Sequence, residues 1–262
     1  MKQHIQLLIA LLGLNWYLPA QDPKPISESP VYREWVDLTR GNGSVLKALI
    51  VYPESGTSTK AIILIHENLG LNEWIMTFSQ ELADQGFLVI VPDLISNTVE
   101  GVEKTTDFEN TDKVRDAIYA LEQEQITMDL NAVYNYVKND ASGHGEISVI
   151  GFSWGGSQSF HYATQNPNLE NVIVYYGTAP EDLSTLKNIK SPVYGFYGGA
   201  DNRVNISIPD TEASMKEYGN LYFFDIYESV GHAFMSRGAQ EKYGPNTMAY
   251  EKSWNKLISI LK

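Results

Sequence analysis

A doubly wound α/β sheet, mostly parallel and about eight strands wide, is the architecture this sequence predicts. Three observations predict it: short uninterrupted apolar runs recur along the chain, stretches of helical spacing lie between them, and an Asn-Gly turn near the start marks an antiparallel N-terminal hairpin. Strands buried on both faces lose the apolar–polar alternation of a half-wet sheet and read as continuous hydrophobic runs. With 43% hydrophobic and 19% charged residues, the 262-residue chain suits one such domain once its first 20 or so residues are set aside.

Residues 1–20 read as a secretory signal. Lys2 gives the positive start, residues 5–14 form an apolar stretch too short to span a bilayer, and Pro19-Ala20 precedes the polar run Gln21-Asp22-Pro23-Lys24-Pro25. Leu18 is bulkier than the residue usual at that distance from a cut after Ala20, so a short uncleaved anchor is the competing reading. Residues 21–30 read as a linker and 31–262 as the domain. The chain contains no cysteine, hence neither disulfides nor a lipid-attachment thiol. The expectation is an exported protein, periplasmic or secreted, with no stable membrane insertion after signal removal.

Residues 32–38 and 45–52 flank Arg40-Gly41-Asn42-Gly43, a strong hairpin signal. The runs at 61–65, 87–91, 147–151, 172–176, 193–197 and 221–226 supply the remaining strands. Between them Leu71, Trp74, Ile75, Phe78 and Leu82 repeat at helical spacing, as do Ile118, Leu121, Leu130, Val133, Tyr134 and Val137; Trp254, Leu257, Ile258 and Leu261 mark a final helix. The least patterned segment, 96–112, is rich in Glu and Asp and follows a strand end, so it belongs at the carboxyl edge of the sheet, as a mobile lid or an ordinary solvated loop.

The net charge is −13, and loss of Lys2 with the signal makes it one unit more negative. No Lys/Arg cluster interrupts that field, which excludes nucleic acid as the expected partner. No metal or cofactor is expected. His66 and Glu67 are adjacent rather than at ligand spacing, and no second histidine pair exists.

The chemistry sits in Gly151-Phe152-Ser153-Trp154-Gly155, directly after a strand and before residues readable as a helix. G-x-S-x-G is the nucleophile elbow, a turn so tight that its flanking positions must lack side chains, and it lifts the serine hydroxyl above the sheet. A serine hydroxyl is a weak nucleophile near neutral pH, so it needs a base, and the base needs a partner that fixes its tautomer. Asp201 in Gly199-Ala200-Asp201 and His232 in Gly231-His232-Ala233-Phe234 each follow a strand, and they come in the order serine, acid, histidine. His4, His144 and His161 compete poorly as the base, and His66 suits a structural or oxyanion-loop role. The oxyanion donors are expected to be the N–H of Trp154, at a helix N-terminus, and that of Asn68, with Glu67 as fallback.

Taken together, His66-Glu67, Pro92-Asp93-Leu94, the elbow with Gly156, Gly199-Ala200-Asp201 and Gly231-His232-Ala233-Phe234 make the chain resemble the dienelactone hydrolase family of α/β-hydrolases. The resemblance spans residues 61–234 in the family's order and implies the α/β-hydrolase fold and hydrolysis of carboxylic esters or lactones through an acyl-enzyme, with a small-molecule ester or lactone as partner. Two departures stand out. The best-known members carry a cysteine where Ser153 stands, activated with help from the glutamate matching Glu67. Members that cleave dienelactone hold its carboxylate with arginines near the positions of Asn97 and Ser236, and here only Arg237, one place late, is nearby. Glu67, Phe234 and Arg237 are therefore site-lining candidates, with a solvated surface position the competing reading for Arg237. A peptidase or acyltransferase on the same fold, and a non-catalytic binding protein that kept it, are the alternative functions.

Overall fold

The computed structural model describes residues 32–40, 42–55, 60–139 and 145–262. The expected signal and linker at 1–30 lie outside the described residues, as do Gly41 of the hairpin turn and His144.

Eight strands form one sheet: β1 (Arg33–Thr39), β2 (Val45–Val51), β3 (Lys60–Ile65), β4 (Leu88–Asp93), β5 (Glu146–Phe152), β6 (Val172–Tyr175), β7 (Val193–Gly198) and β8 (Tyr222–Tyr227). Their spatial order is β1-β2-β4-β3-β5-β6-β7-β8. The N-terminal hairpin pairs Arg33 with Val51 through Thr39 with Val45. β2 is also antiparallel to β4, so it is β2 that runs against the rest; every pairing from β4 to β8 is parallel. From β3 the chain moves outward to β4, then returns to the other side of β3 at β5. That reversal opens a crevice at the carboxyl ends of β3 and β5, where ligands bind in open α/β sheets.

Both faces of the sheet are covered. Along β3, Ala61, Ile63 and Ile65 join a core with α3 (Gln123–Asn139) and α4 (Trp154–Ala163), while Ile62 and Leu64 join a second core with α1 (Glu73–Asp84) and α8 (Pro245–Leu261). This two-sided burial is the physical reason the strands read as unbroken apolar runs. α1 begins at Asn72, whose side chain accepts from the Ile75 N–H. The helical pattern over 118–137 belongs to two helices, α2 (Thr111–Tyr119) and α3, with Leu121 half-buried in the link between them. Between β7 and β8 lie α5 (Asn202–Asn205) and α6 (Ile208–Glu217), and α7 (Phe234–Gln240) follows β8. Among the described residues no helix is long and apolar enough to cross a membrane.

Segment 96–112 is tied down at its centre. The buried Asp93 carboxylate, at the end of β4, accepts from the Thr105 N–H (2.7 Å) and hydroxyl (2.8 Å), and that hydroxyl oxygen accepts from the Leu71 N–H (3.1 Å). Burial pushes Asp93 up to about 6. The segment therefore bridges the exits of β3 and β4 before Asn110 caps α2. Arg40, at the hairpin turn, is equally buried: its guanidinium donates to Asp129 of α3 and to the carbonyls of Val45, Leu94 and Ser96.

Candidate active site

Ser153 follows the last residue of β5 with φ 52° and ψ −114°, a strained conformation outside the regions open to most residues. It is held there because the turn has no room to relax. A Cβ on Gly151 would lie 2.0 Å from the Gly155 carbonyl oxygen, and one on Gly155 would lie 2.3 Å from the carbonyl oxygen of His66. The Ser153 N–H donates to the Tyr175 carbonyl (2.9 Å), fixing the elbow against β6.

His232 meets the serine from the loop after β8, with its Nε2 2.7 Å from Ser153 Oγ. Its Nδ1 lies 2.5 Å from Asp201 Oδ2. An ionised carboxylate only accepts, so Nδ1 carries the proton and Nε2 presents its lone pair to the serine hydroxyl. Asp201 follows β7 and is buried, while His232 keeps about a third of its side chain open. The two loops are laced together: Gly199 N–H donates to Tyr227 O (2.9 Å) and Ala200 N–H to Val230 O (3.0 Å). The acid and base are thus set by backbone bonds rather than by their own contact alone.

Across the crevice, the exit of β3 turns through Glu67, Asn68, Leu69 and Gly70, with the Gly70 N–H donating to the Glu67 carbonyl (3.1 Å). Among the described residues the N–H groups of Asn68 and Trp154 donate to no protein acceptor. The Asn68 side chain reaches the Tyr119 hydroxyl (3.3 Å). Trp154 is half-buried, its ring stacked on His66 (5.5 Å between centroids) and packed on the cluster of Ile95, Val114, Ala117 and Ile118.

Glu67 is buried beside the Tyr176 hydroxyl, and burial pushes its carboxyl up to about 7; its Oε1 has no hydrogen-bond partner among the described residues. Tyr176 escaped the sequence reading, where it was only the end of an apolar run. It is buried, has φ 40°, and sets its ring edge-on to His232 at 5.0 Å. Its position, at the carboxyl end of the strand beside the elbow strand, was the available signal.

One site-lining expectation needs correction. Phe234 has no exposed surface for a ligand; it packs against Tyr175, Tyr176 and Tyr227, because the first turn of α7 rolls it inward under the histidine loop. Arg237, in the last turn of α7, is exposed to solvent, in keeping with the competing reading of a surface arginine. The two places where the resemblance calls for arginines are engaged otherwise: the Asn97 amide donates to the Val45 carbonyl and the Ser236 hydroxyl to the Ala233 carbonyl.

The sheet with its reversed second strand, and a serine at a strained strand-to-helix turn facing a histidine, define an α/β-hydrolase. The sequence model of the Dienelactone hydrolase family matches residues 46–262, and the chain belongs to that family. A Saccharolobus solfataricus protein named "Putative carboxymethylenebutenolidase" is 28% identical over 252 residues, covering 84% of this chain and 95% of that protein. A "Putative Dienelactone Hydrolase" from Klebsiella pneumoniae superposes with a TM-score of 0.76 at 18% identity, covering 88% of this chain and 98% of the other. The Pyrococcus horikoshii acylaminoacyl peptidase shares the fold at a TM-score of 0.66 and 15% identity, with 88% of this chain matched to only 42% of that one.

Proposed function

We infer that this chain is a serine hydrolase that cleaves carboxylic esters or lactones through an acyl-enzyme. The observation that carries the reading is the unbroken hydrogen-bonded line from Ser153 Oγ through the His232 ring to Asp201. In this reading Ser153 attacks the carbonyl carbon while His232 Nε2 takes its proton, and Asp201 holds the ring in that tautomer and stabilises the imidazolium. The N–H groups of Trp154 and Asn68 take the oxyanion; removal of one such donor typically costs about 10²–10³ in kcat. Collapse of the intermediate expels the alkoxide, which leaves with the proton from His232. A water activated by the same nitrogen then frees the acid. With a lactone, the alkoxide stays tethered as the hydroxyl of the product acid.

The proposed substrate is a neutral ester or lactone rather than an anionic one, since Asn97 and Ser236 offer no cation and Arg237 faces solvent. Covalent labelling tests the reading: a fluorophosphonate probe should modify Ser153, and Ser153→Ala should abolish both labelling and hydrolysis of p-nitrophenyl acetate. Full esterase activity in Ser153→Ala would sink it. Export remains part of the proposal, and an intact Met1 on the native protein, found by mass spectrometry, would count against it.

A further inference from the structure

His66 touches both halves of the oxyanion site without belonging to either. Its carbonyl lies against Gly155, in the first turn of α4, so close that a Cβ there would be 2.3 Å away. Its ring stacks on Trp154, 5.5 Å between centroids and 13° between planes. Its Nδ1 lies 2.8 Å from the carbonyl oxygen of Glu67, and its Nε2 3.4 Å from the Leu94 nitrogen.

The two ring contacts assign the tautomer together. The Leu94 N–H can only donate, so Nε2 accepts and Nδ1 carries the proton, which goes to the Glu67 carbonyl. That carbonyl already accepts from the Gly70 N–H, so both its lone pairs are engaged and the peptide plane is fixed. The Glu67 C=O and the Asn68 N–H are the two ends of one trans peptide and point in opposite directions. Whatever holds the carbonyl on the His66 side turns the Asn68 N–H toward the crevice.

We propose that His66 is the positioning residue of the oxyanion site: its Nδ1–H aims the Asn68 N–H through the Glu67 carbonyl. The inference rests on the serine-hydrolase reading and adds to it the residue that orients one of the two donors. Complete burial pushes His66 down to about 4, so the ring stays neutral and keeps this single tautomer at neutral pH. An imidazolium would set a second N–H against that of Leu94.

Two substitutions separate the donor from the bulk. In His66→Asn the amide nitrogen falls near the place of Nδ1 and can still donate to the Glu67 carbonyl; in His66→Gln the longer amide reaches the Leu94 side and leaves Nδ1 without a counterpart. The readout is the affinity of an alkyl trifluoromethyl ketone per active site, the sites being counted by fluorophosphonate titration. Ser153 Oγ adds to the ketone carbon, the carbonyl π pair moves to oxygen as the oxyanion, and the serine proton passes to His232. His66→Gln should lose about 10²-fold in both kcat on p-nitrophenyl acetate and ketone affinity, with KM nearly unchanged, because a misaimed donor acts on the transition state alone. His66→Asn should stay within about tenfold of the parent in ketone affinity even if its melting temperature falls as far. Parent-like ketone affinity in His66→Gln would overturn the proposal, as would a folded His66→Asn that loses as much as His66→Gln should. A parent protein that forms no ketone adduct overturns the hydrolase reading itself, which a failed variant in an active parent does not.

Discussion

Which nitrogen of His232 carries the proton decides whether Ser153 can be activated. Asp201, as an acceptor, keeps it on Nδ1; Asp201→Asn would offer an amide N–H at the same distance, push the proton to Nε2, and present the serine with a donor. The expected result is a fall of about 10³–10⁴ in kcat/KM at neutral pH with little change in melting temperature, and activity within tenfold of the parent would contradict it. Glu67 allows a second residue-scale prediction. Its carboxyl ionises near 4.5 when exposed and near 7 in the folded protein, so between those values the native state holds a proton that the unfolded chain has lost. Stability from this group is therefore greatest below about pH 4.5 and declines as pH rises toward 7. Glu67→Gln stays neutral throughout, so its melting temperature should gain on the parent between pH 5 and pH 8. A constant difference across that range would show that Glu67 does not titrate there.

At the scale of elements, the elbow works because β3, β5 and α4 approach more closely than side chains permit. Gly155→Ala would place a methyl 2.3 Å from the His66 carbonyl oxygen and 2.5 Å from that of Ile65, both backbone atoms that cannot swing aside. A loss of about 2–3 kcal/mol in urea denaturation is expected, together with lower kcat in the fraction that folds, since the clash moves α4 against the exit of β3. A variant with unchanged midpoint and activity would mean that the turn has slack. Close approach of this kind writes itself into a sequence as glycine, which is why the elbow could be read directly. The inner strands could be read for a similar reason, as burial on both faces removes every polar position from runs such as 61–65, whereas the half-exposed edge strand β1 was legible through its Asn-Gly turn. Contacts between distant loops leave no such mark. Nothing local to Arg40 or Thr105 distinguishes them from surface residues, because their partners lie on other elements. Phe234 was misread for the converse reason: its place beside His232 in sequence says nothing of the side to which the helix turns it.

Across the whole molecule, Arg40 is where three separate parts of the chain converge: the hairpin turn, the exit of β4 and helix α3. Its guanidinium donates to both Asp129 oxygens (3.2 and 2.9 Å), to the carbonyls of Val45 (2.9 Å) and Ser96 (2.6 Å) through Nη1, and to that of Leu94 (3.0 Å) through Nη2. Replacing a buried ion pair by apolar residues of similar size is often neutral, whereas deleting one member strands the other charge at a cost of about 3–5 kcal/mol. Arg40→Met should therefore destabilise by more than that amount, since it strands Asp129 and also takes the donor from all three carbonyls. The double substitution Arg40→Met with Asp129→Leu should recover only part of it, because removing Asp129 relieves the stranded charge but leaves three buried carbonyls without a donor, each unmet acceptor costing about 1–3 kcal/mol. Asp129→Leu alone should be the mildest of the three, since Arg40 keeps its carbonyls as acceptors for the guanidinium. Urea midpoints with unchanged slopes would establish the order, and a double variant as stable as the parent would show that the ion pair, not the carbonyl cluster, is what Arg40 serves.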